Sequence, residues 1–120
     1  MNWEKIKDKH GIVFGKFLDE SKLISFCNDF NFELNALLDN NRIFAQSLYR
    51  FFDTYNVIVT IGYHNDDGYG KGFYYTITDG FDDLEWEWET LHDTRKQAEE
   101  MAFGAAFEIL SKKQKNGEIK

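Results

Sequence analysis

The sequence predicts a two-layer α+β fold, a three-stranded antiparallel meander covered by helices in the order α-βββ-α, with an additional helix at the N-terminus. Three observations carry that prediction. The β-branched run Val57–Tyr63 is followed, after a glycine-rich connection, by a second extended run, Phe73–Thr78, which is the pattern of an antiparallel hairpin. Residues Leu84 to Glu89 alternate apolar and acidic without a break, as a third strand with two unlike faces would. Apolar residues at helical spacing flank this block on both sides. A chain of 120 residues fits one domain and buries about two-thirds of its unfolded surface. Residues 1–113 are expected to form that domain, and the polar, glycine-containing stretch 114–120 a flexible tail.

The first helix is read from Trp3, Ile6, His10, Val13, Phe14, Phe17 and Leu18, which recur at three- and four-residue steps between charged residues. Asn2 can cap its start. Gly11 and Gly15 each weaken it by up to about 1 kcal/mol relative to alanine, which allows a bend. Leu23–Asp39 resolves into no single element: Leu23–Cys27 or Phe30–Leu34 could be short strands, and the asparagines and aspartates around them favour turns.

From Asn41 a second helix places Phe44, Leu48, Phe51, Phe52 and Tyr55 on one face, with Asn40 or Asn41 as cap and Asn56 as terminator. The two strands of the hairpin come next, joined by the connection His64–Gly72, and Asp79-Gly80 marks the following turn. In the third strand Leu84, Trp86 and Trp88 are expected to face the core, and Glu85, Glu87 and Glu89 to face solvent. Thr94 and Gln97 match a capping box. Behind them Ala98, Met101, Ala102, Ala105, Ala106, Ile109 and Leu110 line one helical face, broadened by Phe103 and Phe107. Short links make the strands antiparallel neighbours, and the two flanking helices are the natural cover for the sheet.

Composition excludes several functions. The chain has 21 acidic and 14 basic side chains, a net charge of -7, yet carries 12 Phe, 6 Tyr and 3 Trp. Disordered acidic tails lack such aromatics, so this chain folds. Its acidity opposes direct binding to nucleic acid, which depends on lysine and arginine releasing counterions from phosphates. A single cysteine, Cys27, cannot form an intramolecular disulfide and fits a reducing compartment. No apolar stretch of signal-peptide length follows Met1, and no run of 18 apolar residues could span a membrane. A soluble cytoplasmic protein is expected.

No motif carries enzyme chemistry. Glu85 and Glu87 would stand roughly 6.5–7 Å apart on one strand face, within the range of an inverting glycosidase pair, but every strand of alternating glutamates produces that spacing. An EF-hand in His64–Gly72 would need acidic ligands where Tyr63 and Tyr74 stand. Gly68, Gly70 and Gly72 do not make a dinucleotide fingerprint, because Phe73 occupies the third glycine position. His10, His64 and His92 are scattered without metal-ligand spacing. Cys27, beside Ile24 and Phe26, reads as a small core residue. No catalytic residue, metal or cofactor is expected.

The sharpest anomaly is the acidic strip of Asp79, Asp82, Asp83, Glu85, Glu87 and Glu89, continued by Asp93; no lysine or arginine occurs from Gly72 to Thr94. Such a strip can dock a basic protein partner, with exposed tyrosines such as Tyr69 beside it. It can also imitate a nucleic-acid backbone and so inhibit a DNA-acting enzyme. The plainer account is a solvated face.

Two resemblances follow from these residues. The order α-βββ-α over Asn41–Lys113, with Thr94-Arg95-Lys96-Gln97-Ala98 opening the last helix, resembles the double-stranded-RNA-binding domain, whose basic residues there contact phosphates. Here Glu99 and Glu100 follow that start, and Asp66 and Asp67 occupy the hairpin loop, so the resemblance implies the topology without RNA binding. Met1–Lys7, Leu48–Asp53, Thr94–Glu99, Ala102-Phe103 and Ala106–Leu110 resemble a group of small uncharacterised proteins of anaerobic bacteria, often encoded in prophage-like or mobile regions. That resemblance covers most of the chain outside Leu23–Asn40 and implies an accessory protein without a transferable catalytic residue. Together these readings predict a non-catalytic protein-interaction module acting through its acidic strip.

Overall fold

The computed structural model of the chain describes residues 3–22, 42–66, 68 and 70–118, with the side chains of 42–44, 66 and 86–90 outside that description. Among the described residues the chain forms helices α1 (Trp3–Lys9), α2 (Gly11–Ser21) and α3 (Arg42–Thr54), then strands β1 (Ile58–Asp66), β2 (Gly70–Thr78) and β3 (Asp83–His92), then helix α4 (Arg95–Lys115). The sheet is antiparallel in the order β1-β2-β3. The fold is therefore the expected α+β meander under helices. Asn2, Asn40, Asn41, Phe44, Tyr69 and the open stretch Leu23–Asp39, Cys27 included, bear expectations that lie outside the described residues or side chains.

The N-terminal helix is broken at His10, whose backbone (φ -129°, ψ 40°) is not helical. Hydrogen bonding continues across the break, from His10 N–H to the Ile6 carbonyl (2.7 Å) and from Phe14 N–H to the His10 carbonyl (2.8 Å). Gly11, weak as a helix former, begins the second segment. Every residue of the expected apolar face is used: Trp3, His10, Val13, Phe14 and Phe17 are buried, and Ile6 and Leu18 pack at the edge of the core.

Asn56 ends α3 as the sequence predicts. It takes the left-handed conformation (φ 60°), while Val57 N–H reaches the Phe52 carbonyl (2.9 Å) and Asn56 N–H the Asp53 carbonyl (3.0 Å). These are the two bonds of a Schellman motif, in which apolar residues at the positions of Phe52 and Val57 commonly meet. Both residues are fully buried.

The hairpin departs from expectation in length. Residues 64–72 read as a connection, yet the ladder continues through His64↔Gly72, Asn65↔Lys71 and Asp66↔Gly70. Glycine permits pairing there as well as turning. At Gly72 the neighbouring strand lies so close that an added Cβ would stand 2.7 Å from Leu91 Cβ and 2.9 Å from the His92 carbonyl.

In β3 Leu84 packs against the core as expected, but Glu85 departs from its expected facing. Ile77 pairs with Glu85 and Thr76 with Trp86, whereas Thr78 pairs with Asp83, so Leu84 is an extra residue in a bulge. Directly opposed residues share a face, and a one-residue slip exchanges faces. Glu85 therefore lies on the sheet face that carries buried Ile77, not on the outer face predicted for it, while staying exposed at the edge strand. The expectation that Trp86 and Trp88 face the core concerns side chains outside the described residues.

The helical layer covers the face formed by Val57, Val59, Tyr75 and Ile77, all buried. α3 and α4 lie on the sheet, and α2 packs against both helices. Ala98, Ala102, Phe103, Ala106, Phe107 and Leu110 form the buried stripe of α4. Met101, expected in that stripe, is half exposed: Phe103 and Phe107 draw the stripe towards themselves by about one residue's turn of the helix. Thr94 Oγ1 accepts from Gln97 N–H (3.1 Å) and Gln97 Oε1 from Thr94 N–H (3.2 Å), which completes the predicted capping box. At its other end α4 runs to Lys115, two residues into the expected tail, and closes with Gly117 at φ 78° and Glu118 N–H on the Lys113 carbonyl (2.9 Å).

Candidate functional site

The turn from β2 to β3 is held by polar bonds. Asp79 Oδ1 accepts from the backbone N–H of Phe81 and of Asp82, both at 2.8 Å. Asp79 N–H donates to the Asp82 carbonyl (3.1 Å). Thr78 Oγ1 donates to that same carbonyl (2.8 Å) and accepts from Gly80 N–H (3.1 Å). Gly80 stands at φ 98°, a conformation that L side chains rarely adopt. The N–H groups of Asp82 and Phe81 hold the Asp79 carboxyl below the usual carboxylate range, with a smaller contribution from Lys113.

That frame presents Phe81 to solvent. Its side chain is 96% exposed, more than any other large apolar residue that is exposed among those described. Asp82 and Asp83 follow it and are exposed too. The turn thus displays an aromatic ring between a carboxylate committed to the backbone and two that are free to face a partner.

The acidic strip predicted from the sequence is only partly assembled. Asp79, Asp82 and Asp83 come together in the turn, but the Asp79 carboxylate is spent on the backbone. Glu85, on the helix side of the edge strand, is exposed at its end and accepts from the hydroxyl of buried Tyr75 (3.3 Å). The side chains of Glu87 and Glu89 lie outside the described residues. Asp93 is exposed just ahead of the α4 cap. Nor is the strip free of cations in space: Lys113, far away in sequence, acts on Asp79 because α4 returns to that end of the sheet.

Elsewhere, aromatic and titratable groups tie elements together. Tyr49 donates to Glu99 (2.9 Å) and joins α3 to α4; burial, then that carboxylate, raises its hydroxyl above the usual phenol range. Tyr55 donates to Glu20 (2.5 Å) across the ends of α3 and α2. Arg95, the basic start of α4, lies 5.6 Å from the centre of the Phe73 ring, and Tyr63 meets that ring edge-on at 5.0 Å. His10 Nδ1 lies 2.6 Å from Ser111 Oγ. A serine beside a histidine can be an activated nucleophile, but this imidazole is 6% exposed and stacked on Phe107, which gives it a structural role. Among the described residues no group of three or more His, Cys, Asp or Glu could hold a metal ion, and no helix is long and apolar enough to cross a membrane.

Two features escaped the sequence reading. Phe81 carried a readable signal, since a large apolar residue directly after Asp79-Gly80 belongs to a tight turn and has no place in a strand face. The His10–Ser111 contact joins residues 101 positions apart and left no local pattern. No protein-family profile matches the chain, and neither a curated protein nor a solved structure is significantly similar to it.

Proposed function

We propose that this is a cytoplasmic, non-catalytic protein-interaction module whose contact is the β2–β3 turn, with Phe81 as anchor and Asp82 and Asp83 as its charged rim. The partner is a protein with an apolar pocket bordered by lysine or arginine. The observation that carries the reading is the exposure of Phe81 on a turn fixed by Asp79, Thr78 and Gly80. A rigid aromatic loses little conformational freedom on docking, and burying its side chain contributes about 1.5–3 kcal/mol. The two aspartates add attraction at a distance and select against acidic surfaces.

This places the weight of the contact on the turn instead of the full strip. A nucleic-acid mimic needs a longer array of carboxylates on one surface, whereas the turn brings together Asp79, Asp82 and Asp83, with the cation of Lys113 acting on Asp79.

Affinity capture from host lysate tests the proposal. Wild-type protein should retain a basic partner that Phe81→Ala loses, and that Asp82→Lys with Asp83→Lys loses most completely at low salt. Capture that is unchanged in both variants would overturn the role of the turn.

A further inference from the structure

α1 is a short helix held to the rest of the fold by Ile6, which packs at the edge of the core, and at three further points. Near its start Trp3 packs on Phe14 (ring centres 5.8 Å apart) and meets Phe107 edge-on (6.4 Å). At its end Lys9 pairs with Glu108 (2.6 Å) on the surface of α4. Just beyond, in the break before α2, His10 is buried with Nδ1 on Ser111 Oγ (2.6 Å) and its ring parallel to that of Phe107 (6.3 Å, 13°). The Lys9–Glu108 pair is exposed, and such pairs contribute little. Trp3, Ile6 and His10 therefore do most of the holding, and of these His10 is the titratable one.

We propose that α1 is an acid-sensitive latch: protonation of His10 loosens its contact with Ser111 and Phe107 on α4 and lets α1 detach while the sheet and the remaining helices stay folded. The neutral imidazole suits its place. It offers one donor and one acceptor, so a hydroxyl satisfies Nδ1 in either tautomer. The imidazolium suits it badly. It brings a full charge into a buried site, and a ring centre 6.3 Å away is beyond useful cation–π range.

The charges around the ring act in both directions. Burial acts first and Lys9 second to disfavour the proton; Glu108 on α4 favours it, and Lys115 on the same helix disfavours it. Lys112, also on α4, acts on Glu108. The balance lowers the affinity of His10 for a proton below that of a free histidine, whose ordinary value is 6.5. Once α1 is detached, the exposed ring binds the proton more readily. The latch is thus closed above pH about 6.5, and its stability falls as pH drops through the lowered value in the docked state. Glu108 is held below its ordinary value by Lys9 and stays ionised through this range, so the change belongs to His10. Detachment uncovers the apolar surface between Trp3, Phe14 and Phe107.

Amide hydrogen exchange of the whole chain at pH 7.5 and pH 5.0, corrected for intrinsic rates, tests the latch. Amides of residues 4–10 should exchange severalfold faster at the lower pH, while the β1–β2 ladder keeps its protection. His10→Gln should abolish the difference between the two conditions. Unchanged protection of α1 in the wild type, or an undiminished acid response in His10→Gln, would overturn the proposal. Should the variant not fold, NMR titration of the wild-type ring decides: a midpoint clearly below 6.5 supports the latch, and one at or above it overturns the latch.

Discussion

The helical layer around Phe107 and the turn around Phe81 hold their shapes by different forces. Phe107 is fully buried and its ring meets those of Trp3, His10, Phe14 and Phe52. Four elements are joined through one side chain, and the join is made by excluding water. Around Phe81 the arrangement is inverted: the polar groups of Thr78, Asp79 and Asp82 make the structure, and the aromatic ring is left outside it. The many phenylalanines of this chain are therefore not one population. Among the described residues most act as core, and at Phe81 the same side chain is displayed by a frame that does not use it.

The largest effect that separates the two regions is expected from Phe107→Ala. Removing a fully buried phenylalanine destabilises by about 3–5 kcal/mol, and here it deprives Trp3 and His10 of the surface on which they pack. Chemical denaturation should show that loss, and amide exchange should rise throughout α1, α2 and α4. A loss below about 1 kcal/mol would mean that the rings around Phe107 repack easily and do not bind the layer together.

Gly80→Ala should act on the other region with a smaller cost. A residue with a side chain at φ 98° carries about 1–3 kcal/mol of strain. Its effect should be confined to residues 78–83, seen as faster exchange of the Phe81 and Asp82 amides and weaker partner capture. Retention of that local protection would show that the turn tolerates another geometry, and the fixed presentation of Phe81 would fail with it.

The division between the regions also explains what could be read from the sequence. Periodicity identified the N-terminal apolar face, the α3 stop at Asn56, the hairpin strands and the Thr94 capping box, because each is set by residues within a few positions of one another. The facing of β3 was legible at Leu84, which packs against the core, but not at Glu85. Its alternating sequence is compatible with either face, and the choice is made by the bulge at Leu84, which depends on pairing with β2. The extent of the hairpin was missed because glycines 70 and 72 signal a loop and a close strand approach equally well. The acidic strip was legible as composition, but which carboxylates stay free is set in three dimensions, by the backbone N–H groups on Asp79, the Tyr75 hydroxyl on Glu85 and the return of Lys113.

The rim of the helical layer offers a subtler test. Burial first, and then the Glu20 carboxylate that accepts its hydrogen bond, push the Tyr55 hydroxyl up to about 12. In the folded chain this phenol keeps its proton better than in the unfolded chain, so its contribution is complete below pH about 10. It is lost as pH rises through the folded value. Tyr49 also titrates late, so the readout is the tyrosinate absorbance of the wild type minus that of Tyr55→Phe, which should show one group titrating at about 12, with a slight separation of the ends of α2 and α3 as it ionises. If that difference titrates at about 10, the Tyr55–Glu20 bond does not persist in solution.

The smallest effect on stability should come from Phe81→Ala, and its smallness is informative. A ring that is 96% exposed gives up almost no buried surface when it is removed, and substitutions at such positions usually change stability by less than about 0.5 kcal/mol. The turn bonds run through the Phe81 backbone N–H and leave its side chain out, so alanine preserves them. Thermal unfolding of Phe81→Ala should overlay that of the wild type while partner capture is lost. A marked destabilisation would instead mean that Phe81 packs on the protein in solution, and the contrast with Phe107 would disappear.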